Sequence, residues 1–256
     1  MIHKAKKSLG QNFLKAPFAI KAMCEAGNIT NKDTIIEIGP GKGVLTTELL
    51  LRAKKVIAIE KDRDLVDLLK EKFEKEIESG KLKLISNDVL DIEIKEKSYK
   101  LIANIPYNIT GAIFKKFLTN KNQPENMVVL VQKEVAQRVC DKKESILSLS
   151  VKAYGIPKYI IKVPKRYFTP SPKVDSAILS IQNINRNNFK NKKEEEKFFE
   201  VIKTGFAHKR KVLKKNLEDI SDKEKINNIF EILNISEKTR AEELSLQSWL
   251  NITQKI

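Results

Sequence analysis

Residues that bind metals or form disulfides are scarce in this sequence. It has two cysteines, Cys24 and Cys140, and two histidines, His3 and His208, and the cysteines do not form a Cys-x-x-Cys pair. A disulfide framework and a zinc site are therefore disfavoured, and we expect no metal cofactor. Free cysteine usually packs as a small apolar residue, so we expect both cysteines to be reduced, buried and unreactive.

Long apolar segments are also missing. The longest notable apolar run, Met127–Val131, has five residues, whereas a membrane span needs about 20. The lysine-rich start of the chain has no apolar core behind it, which argues against a secretory signal. We therefore expect an intracellular, cytoplasmic protein with no membrane partner, and a monomer.

Acidic residues are outnumbered by basic ones. Lysine and arginine total 49 against 33 aspartates and glutamates, a formal charge of +16. Such an excess attracts polyanions, although the many Lys, Asn and Ile residues are also typical of compositional drift. Charge alone does not separate RNA from DNA or from an acidic membrane.

Apolar β-type runs alternate with helical patterns through the first two thirds of the chain. The predicted strands are Thr34–Ile38, Lys55–Glu60, Lys81–Ser86, Tyr99–Ile105, Met127–Val131, Tyr159–Val163 and Ser176–Ile181. A helix is predicted before the first strand, at Pro17–Ala26, and the helices predicted between strands are Val44–Ala53, Asp62–Glu78 and Ile109–Leu118. This alternation predicts an α/β fold, a Rossmann-like parallel sheet with helices on both faces, and the last two strands predict an antiparallel edge.

The character of the sequence changes beyond residue 185. Residues 185–193 are polar without periodicity, and residues 194–256 are helical in pattern with one glycine, Gly205. We predict a catalytic domain over residues 1–185 and a small all-α domain over residues 186–256.

A glycine-rich loop follows the first predicted strand. Gly39, Gly41 and Gly43 are spaced G-x-G-x-G, tighter than the G-x-G-x-x-G of dinucleotide sites, and this form is associated with S-adenosylmethionine. Glu60 ends the next strand and is placed to accept hydrogen bonds from ribose hydroxyls, as in either cofactor class. Asp88 follows the third strand and either pairs with an adenine amino group or caps a turn.

The tetrad Asn104-Ile105-Pro106-Tyr107 follows the fourth predicted strand. An adenine amino group is a poor nucleophile because its lone pair is delocalised into the ring. The Asn104 side-chain oxygen and a carbonyl of the Ile105–Pro106 peptide region are suited to hold its two hydrogens, while Pro106 stiffens the turn. Tyr107 offers a flat face to a base removed from its stack. A plain turn is the alternative interpretation.

With these motifs the sequence resembles the small-subunit ribosomal RNA adenine dimethyltransferases and, more distantly, the macrolide-resistance methylases of the large subunit. The resemblance covers nearly the whole chain. It is carried by residues 11–14, 37–43, 60, 87–88, 104–109, 132–135, 168–176 and 205–217. A departure is the stretch 141–150, which is shorter than in the family and lacks its arginine.

The resemblance implies roles for particular residues. S-adenosylmethionine is expected as cofactor, and the residues implied to bind it are Asn12, Leu14, Gly39, Gly41, Glu60, Asp88 and Asn104. The residues implied at the target base are Asn104, Pro106, Tyr107 and Phe168, with the adenine between the rings of Phe168 and Tyr107. The implied substrate is a pair of adjacent adenosines near the 3′ end of 16S-type rRNA, each methylated twice, in the immature small subunit.

The basic segment near the C-terminus is similar to a helical segment of the same family. Lysines and an arginine at positions 209, 210, 211, 214 and 215 are predicted to contact phosphates, with 211, 214 and 215 on one helix face. The alternatives are a large-subunit rRNA or DNA adenine methyltransferase, a non-catalytic RNA-binding assembly or transcription factor, and a nicotinamide oxidoreductase. The glycine spacing and the tetrad disfavour the last.

Overall fold

The computed structural model describes residues 5–6, 9–208 and 211–256. The strands are β1 (Phe13–Leu14), β2 (Thr34–Ile38), β3 (Lys55–Glu60), β4 (Leu82–Ser86), β5 (Lys100–Asn104), β6 (Met127–Gln132), β7 (Ile156–Val163), β8 (Phe168–Thr169) and β9 (Ser176–Gln182). The helices are α1 (Pro17–Ala26), α2 (Val44–Arg52), α3 (Arg63–Lys72), α4 (Glu74–Glu78), α5 (Thr110–Leu118), α6 (Lys133–Cys140), α7 (Ile146–Lys152), α8 (Lys192–Gly205), α9 (Leu213–Leu217), α10 (Lys223–Ile232) and α11 (Leu246–Lys255).

Two compact units divide the chain. The first comprises Met1–Ala136 and Ile156–Ile184, and the second comprises Gln137–Gly155 and Asn185–Ile256. One division therefore falls next to the predicted domain boundary at 185. Residues 137–155, however, group with the helical unit, although we predicted them within the catalytic domain. Hydrogen bonds explain this, because the Glu144 N–H donates to the Glu242 carbonyl and the Asn185 N–H donates to the Tyr154 carbonyl.

A seven-stranded sheet forms the first unit, in the order β4-β3-β2-β5-β6-β9-β7. Strands β2 to β6 are parallel, and β9 runs antiparallel between β6 and β7. Residues 127–131 are fully buried, as expected where both faces of a strand are covered. The predicted α/β class and antiparallel edge are confirmed. Strand order reverses between β2 and β5, and such a switch point is where open α/β sheets bind ligands.

The predicted helix Asp62–Glu78 is instead two helices. Asp62 caps the first, as predicted, and its side chain accepts from the Asp64 N–H. The break falls at Phe73, whose φ of −119° and ψ of 30° are not helical. Phe73 is 4% exposed and packs against the glycine loop, so tertiary burial of one ring outweighs the helical pattern.

Helices make up the second unit. Trp249 of α11 is fully buried and stacks on Phe206, with ring centroids 5.5 Å apart. A Cβ on Gly205 would lie 2.3 Å from Trp249, so this glycine leaves room for the indole. The predicted all-α character of the C-terminal part is confirmed. Neither cysteine forms a disulfide, but only Cys24 is buried, whereas Cys140 is half-buried.

Candidate active site

A cleft of about 470 Å³ opens at the carboxyl ends of β2, β3, β4 and β5. These ends meet at one edge of the sheet because the four strands are parallel, and β2 and β5 flank the switch point. Most of the predicted site residues line the cleft, namely Asn12, Leu14, Gly39, Gly41, Glu60, Asp88, Asn104, Pro106 and Tyr107.

The glycine loop needs glycine at Gly41 for two reasons. Its φ is +59°, and a Cβ there would lie 3.1 Å from the Phe13 ring. Phe13 belongs to the N-terminal arm, and Lys42 Nζ lies 5.1 Å from the centre of its ring. The arm thus covers the loop. We did not predict a role for Phe13 itself, although it lies within residues 11–14, which carry part of the resemblance.

The far end of the loop is braced by the corner between α3 and α4. Gly43 has a φ of +74°, and a Cβ there would lie 2.5 Å from Phe73. Lys72 Nζ donates to the carbonyls of Lys42 and Gly43 at 3.0 and 3.2 Å. Neither Lys72 nor Phe73 was recognised from sequence, because nothing in a helical pattern indicates which side chain turns back onto a loop.

Glu60 is nearly buried at the end of β3 and already accepts two backbone hydrogen bonds. Its Oε2 accepts from the Gly41 N–H at 3.2 Å, and its Oε1 accepts from the Asp62 N–H at 2.9 Å. Burial raises the pKa of its carboxyl, and these backbone donors oppose the rise. Each carboxylate oxygen has a second lone pair, so the group retains acceptor capacity for ribose hydroxyls.

Asp88 lies beyond β4 and is held on both oxygens. Its Oδ2 pairs with Lys61 Nζ at 2.7 Å, and its Oδ1 accepts from the Leu90 N–H at 2.9 Å. The hydrogen bond from Lys61 lowers the pKa of Asp88. The carboxylate is therefore ionised at neutral pH and remains an acceptor at the cleft wall.

The N-terminal arm is anchored to the same region through Asp62. Gln11 Nε2 donates to Asp62 Oδ2 at 2.7 Å, and Lys6 Nζ contacts Asp62 Oδ1 at 2.5 Å. Leu14 is buried, and Asn12 is held by a hydrogen bond from its Nδ2 to the Gly10 carbonyl at 3.1 Å. Lys4 and Lys7, two further lysines of the lysine-rich start of the chain, lie outside the described residues.

Asn104 ends β5 with a defined amide orientation. Its Nδ2 donates to the Asn12 carbonyl at 3.2 Å, which uses the nitrogen end of the amide and leaves the oxygen as acceptor. Gly39 lies across from it, because a Cβ on Gly39 would be 3.8 Å from the Asn104 carbonyl. The Pro106 carbonyl accepts from the Ile109 N–H at 3.2 Å and so closes a short 3-10 turn.

Tyr107 and Phe168 do not face each other across an open slot as predicted. Tyr107 is half-buried, and its hydroxyl lies 2.6 Å from Ser176 Oγ. Phe168 is 3% exposed and packs in the apolar core with Leu14, its partner across the β1–β8 pair. The ring of Phe168 is thus absent from the cleft surface, and its neighbour Thr169 lines the cleft instead. Pairing buries Leu14 and Phe168 together, which the motif alone did not indicate.

Glu37 is a further cleft residue whose environment the sequence did not indicate. It lies in the middle of the sheet, paired in register with Ala58 and Ile102, and is 1% exposed. Its Oε2 has no hydrogen-bond partner among the described residues. A buried, unsatisfied carboxyl oxygen fits a donor or cationic ligand group, and S-adenosylmethionine carries an ammonium and a sulfonium. The residues present therefore fit this cofactor.

The C-terminal basic cluster differs from its prediction. Lys211 precedes α9 and is exposed, so it does not share a helix face with the other two lysines. Lys214 is 15% exposed and pairs with Glu237 at 2.5 Å, whereas Lys215 is exposed. Positions 209 and 210 lie outside the described residues. Lys211 and Lys215 are therefore the described cluster members that offer charge to a phosphate.

In the described ranges 5–6, 9–208 and 211–256, no group of three or more His, Cys, Asp or Glu side chains is placed to hold a metal ion. Within those same ranges, no helix is both long enough and apolar enough to cross a membrane.

Three features together define a class I S-adenosylmethionine-dependent methyltransferase. They are the sheet order with one antiparallel strand, the G-x-G-x-G loop at the switch point, and the acids that end β3 and follow β4. Residues 2–256 match the family described as ribosomal RNA adenine dimethylase. The chain belongs to that family, which confirms the resemblance, the enzyme class and the cofactor.

Individual relatives agree with this assignment. The chain is 38% identical to the ribosomal RNA small subunit methyltransferase A of Fusobacterium nucleatum, over 98% of this chain and 97% of that protein. It is 41% identical to the protein of the same name from Dehalococcoides mccartyi, over 96% of this chain and 86% of that protein. The crystal structure of a dimethyladenosine transferase from Plasmodium falciparum matches this fold with a TM-score of 0.80 at 25% identity. The match covers 94% of this chain and 95% of that one. The 23S rRNA methyltransferase ErmE shares the fold, with a TM-score of 0.80 and 23% identity. That match covers 95% of this chain and 99% of ErmE.

Proposed function

We propose that this enzyme transfers methyl groups from S-adenosylmethionine to N6 of two adjacent adenosines near the 3′ end of small-subunit rRNA, giving N6,N6-dimethyladenosine. The observation that carries the proposal is the position of Asn104, which lies opposite Gly39 at the switch point and has its amide nitrogen held by Asn12. The small-subunit names of the two bacterial relatives support that substrate over a large-subunit one.

Bound S-adenosylmethionine supplies an electrophilic methyl group on sulfur. Transfer of that methyl group to the N6 lone pair would release S-adenosylhomocysteine and one N6 proton at each addition. The chain positions the amine: the Asn104 oxygen accepts one N6 hydrogen. The Pro106 carbonyl accepts from the Ile109 N–H within the 3-10 turn, and we assign the second acceptor to the Ile105 carbonyl. Such acceptors strengthen as positive charge develops on nitrogen.

Tyr107 supplies the stacking face for the adenine. Its hydroxyl contact with Ser176 limits rotation of the ring, so the face is preset before the base arrives. A stacking role for Phe168 requires its buried ring to leave the core. We therefore propose that Phe168 packs against Leu14 and holds β1 in position, without contacting the adenine. Asn12, Leu14, Gly39 and Gly41 are proposed to contact the cofactor, with Glu60 on the ribose and Asp88 on the adenine.

Substituting Asn104 tests the proposed chemistry. We expect Asn104→Ala to keep its fold and RNA affinity within a few fold while single-turnover methylation falls by about 10²–10³, the usual effect of removing one preorganised polar group. Asn104→Asp retains an acceptor and is expected to keep more activity than Ala. A loss of less than about threefold in Asn104→Ala, ~0.7 kcal/mol, would show that Asn104 is merely a turn residue.

We also propose that the cellular partner is the immature small ribosomal subunit in the cytoplasm, and that the chain acts as a monomer. The charge of +16 supports an RNA-rich partner. The test is to incubate under-methylated small subunits, and large subunits as control, with labelled S-adenosylmethionine and to map the label. Label on the large subunit alone would favour the macrolide-resistance type of activity. Binding to small subunits without label would favour an assembly factor.

A further inference from the structure

An exposed aromatic ring lies next to the cleft and takes no part in the chemistry above. Phe18, in the first turn of α1, is 40% exposed. Its ring meets that of Tyr167 edge to face, with centroids 5.1 Å apart. The guanidinium carbon of Arg166 lies 5.2 Å from the centre of the Tyr167 ring. We call Phe18, Arg166 and Tyr167 the aromatic step.

The aromatic step adjoins the mouth of the cleft through two backbone connections. The Lys15 N–H donates to the Tyr167 carbonyl at 2.8 Å, and Lys15 itself lines the cleft. Thr169, two residues beyond Tyr167, lines the cleft as well. An RNA strand whose base occupies the cleft therefore has its neighbouring nucleotide beside the step.

The surroundings of the step are cationic. Lys15, Lys165 and Arg166 are exposed, and the first turn of α1 contains no acidic residue. Asp175, an acid of the following loop, is already held by Lys162 Nζ at 2.8 Å and by the Lys165 N–H at 2.9 Å. Phosphate is attracted to such a site, and cations near aromatic faces are typical of single-strand binding.

Removing a base from its stack leaves the adjoining base without a stacking partner. An exposed aromatic ring at the mouth of the cleft replaces that partner. We propose that Phe18 stacks on the unpaired base adjacent to the target adenine, while Lys15 and Arg166 contact the flanking phosphates. The inference rests on the proposed function and adds to it a binding site for the flanking nucleotide.

The test pairs a change in the protein with a change in the RNA. Short RNAs carry the target adenines with either an intact neighbour or an abasic neighbour, on the 5′ or the 3′ side. RNA affinity by fluorescence anisotropy and kcat/KM for methyl transfer are measured for the parent, Phe18→Ala and Phe18→Leu. The control is Leu51→Ala, which truncates another exposed apolar residue, on α2 and 72% exposed. Cofactor affinity verifies that each variant is folded.

We expect Phe18→Ala to bind the intact RNA about 5- to 150-fold more weakly, the range for loss of one base–aromatic stack. On one of the two abasic RNAs the parent should lose a similar factor, and Phe18→Ala should then lose less than about twofold more. Phe18→Leu, which keeps an apolar contact with Tyr167, should lie between. Arg166→Gln should flatten the dependence of log K on log salt by about one unit.

Equal losses for Phe18→Ala on intact and abasic RNAs would overturn the inference, because a purely structural ring would affect all RNAs alike. An unchanged affinity would overturn it too. Methyl transfer by the parent to intact RNA is the separate measure of the proposed function. The coupling between the Phe18 ring and the neighbouring base is also measured as RNA affinity, which does not depend on methyl transfer. Failure of one proposal is therefore distinguishable from failure of the other.

Discussion

Glu37 is the residue through which we expect pH to act on the stability of the cofactor-free protein. Burial raises the pKa of its carboxyl from 4.5 to about 8, although the Thr46 hydroxyl and the charge of Lys72 oppose the rise, and the nearby charge of Glu60 adds to it. The folded state therefore holds a proton that the unfolded chain releases above about pH 4.5. The contribution of this group to the free energy of unfolding is largest below that pH, falls as pH rises towards about 8, and then levels off.

The magnitude follows from the size of the shift. One pKa unit corresponds to about 1.36 kcal/mol, so the decline between pH 5 and pH 8 amounts to about 2–4 kcal/mol for a shift of this order. Glu37→Gln keeps the shape of the protonated side chain and does not ionise. Relative to the parent, the variant should thus gain about 2–4 kcal/mol between pH 5 and pH 8, or roughly 5–15 °C in Tm for a chain of this size.

Urea unfolding at pH 5, 6.5 and 8 measures this difference directly, with Glu71→Gln, at an exposed position of α3, as control. Other titrating groups are common to parent and variant, so their effects cancel in the comparison. If the stability difference between Glu37→Gln and the parent is the same at pH 5 and pH 8, the argument for a buried, uncharged Glu37 is refuted.

Two further predictions concern ligand binding. Glu60→Ala should weaken cofactor binding in calorimetry about tenfold to several hundredfold, since hydrogen bonds to charged groups contribute about 1.5–3 kcal/mol each. Glu60→Gln keeps one acceptor for Gly41 and should lose less affinity. An unchanged affinity in a folded Glu60→Ala would exclude the ribose role. Changing Lys211 and Lys215 together to Gln should flatten the dependence of log K for RNA on log salt by about two units. Lys214→Gln is the matched control, because that lysine is paired with an acid, and a larger effect from it than from the double variant would contradict this assignment.

The sheet and its helices were predictable because strands buried on both faces read as continuous apolar runs, such as Met127–Val131, and helical periodicity separates them. The ends of parallel strands converge, so the predicted strands alone bring Gly39, Glu60 and Asn104 to one edge of the sheet. The pairing of β1 with β8 was not predictable, since two-residue strands have no period to detect. The burial of Phe168 depends on that pairing and was missed with it.

The environments of individual side chains were the other feature that the sequence did not predict. The sequence places Glu37 beside the glycine loop, but only the register of β2 between two neighbours shows that its carboxyl is enclosed. Similarly, the lysines at 211, 214 and 215 look equivalent in sequence, and one of them differs because Glu237, far along the chain, neutralises it.

The pairing of β1 with β8 also has a consequence for the order in which a growing chain acquires its parts. Phe13 and Leu14 are synthesised long before their strand partners, Thr169 and Phe168. The arm that covers the glycine loop therefore lacks its partner strand until β8 has left the ribosome. Strand β7 likewise pairs with β9, which is made after it. The half-built protein holds the cofactor loop and its acids, but an arm without its strand partner, so tight cofactor binding belongs to the late stages of synthesis.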